Sequence, residues 1–435
     1  MLKDRPMVLF QYFVVFFCVL SNISDGFDSL SMAFVAPTIS RDWNIDPKYL
    51  GVVFSAASFG LVSGSLLLAP LADRFGRRPM IVIASGVSAL AMAGAALSEN
   101  VYQLAASRFV IGVAIGTLIP SLNVMVSEYT NEKLGNFFLS ILHVGFAIGA
   151  VTCSMVSIIL LEAVGWRSVF FTAASVSFVL FIISWIGLPE SLDYLLSRQP
   201  KNALERANRL LAKLNIPPLT ELPAREEVVE GRKSNLAVFL TPLLLAPTFL
   251  LWIASMSHYF VSYFKSNWTP KILVDAGLTD ATAISSGIVM GVTAAAGNIL
   301  MGLFSQKFGV YRLTMIAYAM GAIALVIFGF SSAIPVILLM AAGLVSFFIQ
   351  ATFTGTIIGA TRFFPPSIRG AGVGLIVGLG RIGGIAGPII AGVLISIGWD
   401  RSAYFPVFGA ICVLGAIAMA MLHRLVKKRA ALATS

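Results

Sequence analysis

Residues 64–78 read G-S-L-L-L-A-P-L-A-D-R-F-G-R-R, and residues 297–309 read G-N-I-L-M-G-L-F-S-Q-K-F-G. Each copy opens on a glycine inside an apolar run and ends in a short basic turn. Working outward from the two copies, the chain resolves into twelve mostly apolar stretches of about 20 residues or more, the length that crosses a bilayer as a helix. They lie at about 9–36, 49–71, 79–98, 101–125, 135–161, 168–188, 238–265, 282–305, 311–330, 333–357, 370–397 and 403–424. Each copy falls between the second and third stretch of its half. In lipid every backbone polar group must be satisfied within the segment, so runs this long are read as helices. The expected fold is an all-α integral membrane protein with twelve transmembrane helices in two six-helix halves.

Composition agrees. The 435 residues are 58% hydrophobic and 11% charged, with a mean hydropathy of +0.90. A soluble domain carries about 25% charged residues, so the surplus apolar surface must face lipid. The net charge of +10 does not point to nucleic acid, because the basic residues are scattered over short loops. Cys18, Cys153 and Cys412 sit in apolar runs, give no disulfide or metal-ligand spacing, and read as small core residues. Lys3 and Arg5 precede the first run as in a signal peptide. No small-residue cleavage site follows, and the run is expected to be kept as the first spanning helix.

The long polar interval divides the chain into an N-terminal six-helix half (1–188), a central loop (189–235) and a C-terminal six-helix half (236–435). Within that loop, K-N-A-L-E-R-A-N-R-L-L-A-K-L has the pattern of an amphipathic helix lying at the membrane surface. If the termini, the central loop and the even-to-odd loops share one side, that side collects most of the 30 Lys and Arg. Arg41, Lys48, Arg167, Lys271 and Arg401 fall on the other. The positive-inside rule then places both termini in the cytoplasm of a multi-pass cytoplasmic (inner) membrane protein. Internal repeats of this kind mark secondary transporters, which bind cargo near the midplane. No G-x-x-x-x-G-K-[ST] is present, and no enzyme, metal or bound cofactor is expected; an ion gradient is the implied energy source.

Four sets of residues carry chemistry. Gly64, Asp73, Arg74, Gly76 and Arg77 form the turn between helices 2 and 3. Gly64 permits close helix approach, Gly76 the tight turn, and Asp73 can receive a helix N-terminus or an arginine, which makes the turn a gating latch. The second copy has Gln306 in place of Asp73, so its latch is expected to be weaker. In helix 1, Asp25 and Asp28 stand at i and i+3 on one face, about 16 Å from the end near residue 36. A charge at that depth costs at least ~2.5–3.5 kcal/mol, so the pair needs a reason. Desolvation and mutual repulsion favour a proton held on at least one of them, which can load and unload. A structural pair satisfied by backbone or arginine is the alternative. In helix 4, Arg108 can hold a carboxylate or pair with Asp25 or Asp28. In helix 11, Arg381 lies about 18 Å along the helix from Arg369. Arg381 is the expected carboxylate-binding cation of the C-terminal half, whereas Arg369, at the edge, is equally readable as a topology charge. His143 and His258 can titrate or bind cargo, and Trp252, Tyr259, Phe260 and Tyr263 can stack a ring; satisfied core residues are the duller reading of each. Trp268 is expected in the interfacial belt.

These motifs resemble those of the aromatic acid:proton symporters of the major facilitator superfamily, the hydroxybenzoate and benzoate transporter type. The resemblance rests on Asp25-Gly26-Phe27-Asp28 followed by Ala36-Pro37, on the turn from Gly64, on S-R-F-V-I-G at Arg108, on Y-F-V-S-Y-F-K-S-N-W-T-P from Tyr259, and on the helix-11 arginines. It implies a functional role for Glu128 at the end of helix 4, though that glutamate could equally stabilise the loop against Arg74 or Arg77. It also implies a proton-coupled importer of an aromatic carboxylate, with the acid anion and H+ as partners. From composition, the lipid bilayer is a further partner and no nucleic acid is expected; the sequence does not read out an oligomeric state, and a monomer is the expected working unit. P-E-S-L-D-Y-L-L from Pro189 partly matches sugar porters, and helix 5 lacks the Gly-Pro pair of drug exporters. A sugar or polyol porter of the same fold and a non-transporting membrane receptor remain the alternatives.

Overall fold

The computed structural model describes residues 5–223, 238–239, 241–242, 244–365 and 368–434. All regular structure among them is helical. Twelve long helices follow one another: α1 (Leu9–Asp42), α2 (Pro47–Ser63), α3 (Arg77–Ala96), α4 (Val101–Tyr129), α5 (Gly135–Ala163), α6 (Arg167–Gly187), α7 (Leu245–Asp275), α8 (Asp280–Phe308), α9 (Val310–Phe330), α10 (Pro335–Phe363), α11 (Arg369–Ser396) and α12 (Arg401–Thr434). The first and last run well past the apolar stretches that announce them, since helix continues beyond the hydrocarbon edge wherever nothing breaks it.

Eleven of these helices are long and apolar enough to cross a membrane. The chain is a multi-pass membrane protein. The exception, α7, has the length, but His258, Tyr259, Lys265, Asn267 and other polar residues dilute its apolarity. Such residues persist in a spanning helix when they face other helices or a polar cavity, which marks α7 for attention.

The chain divides into two compact units. Unit 1 comprises Met1–Ser31 and Ala56–Arg232, and unit 2 comprises Met32–Ser55 and Lys233–Ser435. The far ends of α1 and α2 thus cluster with the C-terminal helices. In unit 1, α3 packs on α4 and α6; in unit 2, α7 packs on α11, α8 on α10 and α9 on α12.

The two sequence copies fold alike. Gly64 lies against the Val113 carbonyl of α4, and Gly297 against the Phe347 carbonyl of α10. Each copy ends in a glycine of positive φ, Gly76 at 104° and Gly309 at 83°. Only the first copy distorts its helix. A π turn (Gly64–Leu68) and a 3₁₀ turn (Ala69–Leu71) carry α2 into the short helix Ala72–Phe75. Pro70 lacks the N–H that regular α-helix would need there.

Of the central interval, residues 224–235 lie outside the described residues. The amphipathic segment does form a helix, Ala203–Lys213, preceded by Leu192–Arg198. Its apolar face does not lie on a membrane surface, however. Ala207, Leu210 and Leu211 are buried in the unit 1 core with Val14 and Phe17 of α1 and Leu122 and Met125 of α4. Protein, rather than lipid headgroups, covers that stripe. Trp268 also departs from expectation. It is fully buried in unit 2, its ring N–H donates to the Pro388 carbonyl (3.1 Å), and it meets Phe54 edge-on. An indole whose N–H finds a protein acceptor has no need of the membrane interface.

Candidate functional site

In unit 1 the two acids of α1 are buried, at 2% and 1% exposure. Gly26 between them lets the α5 backbone approach at Phe146, where any Cβ would collide. Asp28 Oδ2 accepts from Ser88 of α3 (3.2 Å) and Ser177 of α6 (3.3 Å), and Ser177 also meets Ser24 (3.2 Å). Asp25 faces a small cavity lined by Ser21, Ser24, Ser85, Ser88 and Ser177, with Leu118 and Leu180. Its interior, about 10 Å³ at water centres, is near the threshold for a single water molecule. Asp25 Oδ2, Asp28 Oδ1 and Ser21 Oγ have no hydrogen-bond partner in the structure. Unsatisfied buried oxygens are uncommon, and here they cluster where a proton or a water would be held.

Arg108 is buried beside them, but it does not form the expected ion pair with either carboxylate. Its Nη1 donates to the Asp28 main-chain carbonyl (2.8 Å) and its Nη2 to that of Ser29 (3.2 Å). The planar fork spans two carbonyls of one helix turn, and Ser88 and Ser177 occupy Oδ2.

At the α2–α3 turn of unit 1, Asp73 pairs with Arg77 and does not receive a helix N-terminus. That role falls to Glu190, which sequence reasoning passed over within Pro-Glu-Ser. Its Oε1 accepts from the backbone N–H of Arg77 (2.8 Å), Arg78 (3.1 Å) and Ser191 (3.0 Å). A carboxylate at a helix N-terminus satisfies orphan donors and the dipole together. Gly76 is required twice over, by its positive φ and by the Glu190 carboxylate, which occupies the space of a Cβ. Arg74 stacks on Phe75, and its carbonyl accepts from Tyr194. Glu128 lies beside Ser191, Asp193 and Arg77, in this turn network and apart from the acid pair. His143 is exposed on α5.

In unit 2, Arg381 of α11 donates to the Tyr259 hydroxyl of α7 and stands near Tyr263. Gly380 and Gly384 on the same helix fit against Tyr259 and Tyr263. Tyr259 lies 6.0 Å from Tyr263 and from Phe353 of α10, and His258 lies 5.1 Å from Phe353, centroid to centroid. His258 Nδ1 meets the Ile349 carbonyl at 3.0 Å. A carbonyl only accepts, so Nδ1 carries the proton in the neutral ring and Nε2 is left as the acceptor. Of the remaining aromatics, Phe260 packs on Phe408 of α12 and Trp252 on Phe249. Arg369 is exposed at the start of α11. The sequence-derived residues therefore sort into an acid–arginine cluster and a turn network in unit 1, and an arginine among aromatics in unit 2.

Comparison with known proteins decides the family, because a Major Facilitator Superfamily model matches residues 16–299 and 251–434. The chain belongs to the major facilitator superfamily. Within it, the chain is similar to the gallate transporter of Pseudomonas putida, at 29% identity over 422 residues, covering 96% of this chain and 93% of that protein. The 4-hydroxybenzoate transporter PcaK of Pseudomonas aeruginosa is 30% identical over 405 residues, covering 92% and 89%. The benzoate transport protein of Acinetobacter baylyi is 28% identical over 435 residues, covering 97% and 92%. These relatives are aromatic acid transporters, not enzymes. Among solved structures, the D-xylose-proton symporter has the same fold, with a TM-score of 0.73 at 16% identity over 94% of this chain and 97% of that one.

One residue of this major facilitator chain stands in the sequence reading only as part of the Tyr259–Pro270 stretch, with no role given to it. Lys265 lies in α7, is 6% exposed, and donates to Ser346 of α10 (3.1 Å). The apolar stretch read from sequence ends at 265, but the helix runs from Leu245 to Asp275, which puts Lys265 ten residues inside its end.

Proposed function

We propose that this protein is a proton-coupled secondary transporter that imports an aromatic carboxylate across the cytoplasmic membrane by alternating access, with both termini in the cytoplasm. The observation that carries the reading is the division of charge between the helices of the two units. Unit 1 holds an acid pair with unsatisfied oxygens, and unit 2 holds a guanidinium set among Tyr259, Tyr263, His258 and Phe353. A guanidinium beside aromatic faces suits a benzoate-like anion, whose carboxylate takes the fork while its ring stacks. Names of relatives similar over more than nine-tenths of the chain support the cargo class. Asp25 and Asp28 load the proton, Arg381 takes the carboxylate, Arg108 braces α1, and the Asp73–Arg77 turn gates. The proton gradient serves as the energy source; each charge moved across 100 mV is worth about 2.3 kcal/mol.

Radiolabelled uptake in proteoliposomes across a panel of aromatic acids, with and without an inward proton gradient, tests this. Accumulation that collapses with a protonophore is the expected outcome. Accumulation indifferent to the gradient would rule out coupling, and binding without accumulation would favour a receptor. Uptake of sugars or polyols in place of the acids would favour the porter reading.

A further inference from the structure

Lys265 takes no part in the function just described, and its surroundings require one. It lies ten residues from the end of α7 at Asp275, about 15 Å along the helix axis. A charged side chain at such depth is kept where something pairs with it. An ammonium has three N–H donors. The structure gives Lys265 one acceptor, Ser346 Oγ, and that hydroxyl itself donates a hydrogen bond to the Met290 carbonyl (2.8 Å). The neighbouring polar groups are committed elsewhere. Thr269 donates to the Lys265 carbonyl (2.5 Å), and Trp268 to Pro388.

No carboxylate of the same unit can neutralise it. The acidic residues of unit 2 are Asp42, Asp46, Asp275, Asp280 and Asp400, all at helix ends or in loops. Asp280 is paired with Arg41 and Asp275 with Lys271. The interior of the unit is therefore purely cationic. Lys265, which is buried, and Arg381, which is half-buried, are linked through α7 and α10: Arg381 at Tyr259, Tyr259 at Phe353 and His258, His258 at the Ile349 main-chain carbonyl, and Ser346, one turn before Ile349 on α10, holding Lys265. Lys265 and His258, seven residues apart, share one face of α7.

We propose that Lys265 is a specificity-determining residue of the cargo site, a second cation that takes an acceptor oxygen on the ring, phenolic or carboxylate, while Arg381 takes the first carboxylate. This rests on the aromatic-carboxylate reading and narrows it to ring-substituted acids. A site built to bond a polar substituent disfavours the analogue that lacks it, because the buried donor is then left unpaired.

The test measures equilibrium binding of benzoate, 4-hydroxybenzoate, 3,4,5-trihydroxybenzoate and terephthalate to the full chain in nanodiscs, wild type against Lys265→Met and Lys265→Arg. Lys265→Met is expected to weaken the substituted acids at least about tenfold more than benzoate, the loss of one charge-assisted hydrogen bond, with Lys265→Arg in between. The hydroxylated and dicarboxylate probes separate a phenolic from a carboxylate partner. Equal weakening of all four ligands, or of none, would overturn the assignment. Wild type binding none of the four would overturn the aromatic-acid reading itself. Thermal melting checks that each variant is folded. Ser346→Ala, which removes only the hydroxyl that aims the ammonium, provides a second arm and is expected to shift the same ratio by a smaller factor.

Discussion

Arg108 Nη1 donates to the main-chain carbonyl of Asp28 at 2.8 Å, and the carboxylate of the same residue takes its donors from Ser88 and Ser177. The arginine thus braces the backbone of α1 at the turn that carries the acids. A lysine keeps the charge but, as a point donor, does not span the carbonyls of Asp28 and Ser29. Arg108→Lys is therefore expected to cost about 1.5–3 kcal/mol of stability, the net worth of one hydrogen bond to a charged donor. Thermal unfolding of the purified protein in detergent measures it. Unchanged stability would mean that position 108 needs only a positive charge.

Asp25→Asn should insert and melt normally, because the oxygen it alters has no hydrogen-bond partner to lose. It should nevertheless abolish accumulation driven by a pH gradient, since an amide carries no exchangeable charge. Exchange of internal for external cargo at equal pH should persist. Proteoliposome uptake and counterflow distinguish the two, and gradient-driven accumulation by Asp25→Asn would remove Asp25 from the coupling step.

The α2–α3 turn offers a test of stability alone. Glu190 satisfies two backbone donors at the start of α3, Arg77 and Arg78, and that of Ser191 beside it, so Glu190→Ala should cost about 1–2 kcal/mol, in the range of losing a helix cap. Gly76→Ala should cost at least as much: φ of 104° is strained for any residue with a Cβ, and that Cβ would occupy the place of the Glu190 carboxylate. Because both residues act on one junction, the double variant should lose less than the sum of the singles. Melting curves of the three variants decide this, and strict additivity would show that the two contributions are independent.

How much of this was legible in the chain follows from the physics of each signal. The twelve helices were readable because a bilayer imposes a length and a composition on every span, and α7 was readable despite its polar residues because its neighbours fix the count. The acids of α1, Arg108 and Arg381 were readable because charge is conspicuous in an apolar run. Hydrogen-bond partners were not. An acid pair in one spanning helix and an arginine in another suggest an ion pair, but serines on α3 and α6, distant in sequence, occupy the Asp28 carboxylate that faces them. Asp73 was a reasonable choice for the helix N-terminus, being three residues before Gly76. Glu190 arrives there from 113 residues downstream of Arg77, and no local pattern announces it. Likewise, the amphipathic stripe of 203–213 indicates that something apolar covers it, without indicating whether that is lipid or the core of unit 1.

The aromatic residues of α7 face in two directions, and the last prediction rests on that split. Tyr259 and Tyr263 turn toward Arg381, while Phe260 turns toward Phe408 of α12 at 5.5 Å. Tyr259→Phe keeps the ring and removes the hydroxyl that orients the guanidinium, so the KM for the aromatic acid should rise about three- to tenfold, with melting nearly unchanged. Arg381→Lys loses the bidentate fork, so its KM should rise about tenfold or more. Phe260→Ala should do the reverse, costing about 3–5 kcal/mol of stability through the cavity it leaves, with a smaller effect on KM in the protein that folds. Uptake kinetics and melting temperatures measured on the three variants together provide the check. A Phe260 variant that raises KM without loss of stability would place the cargo ring on the α12 side of the helix and move the site away from Arg381.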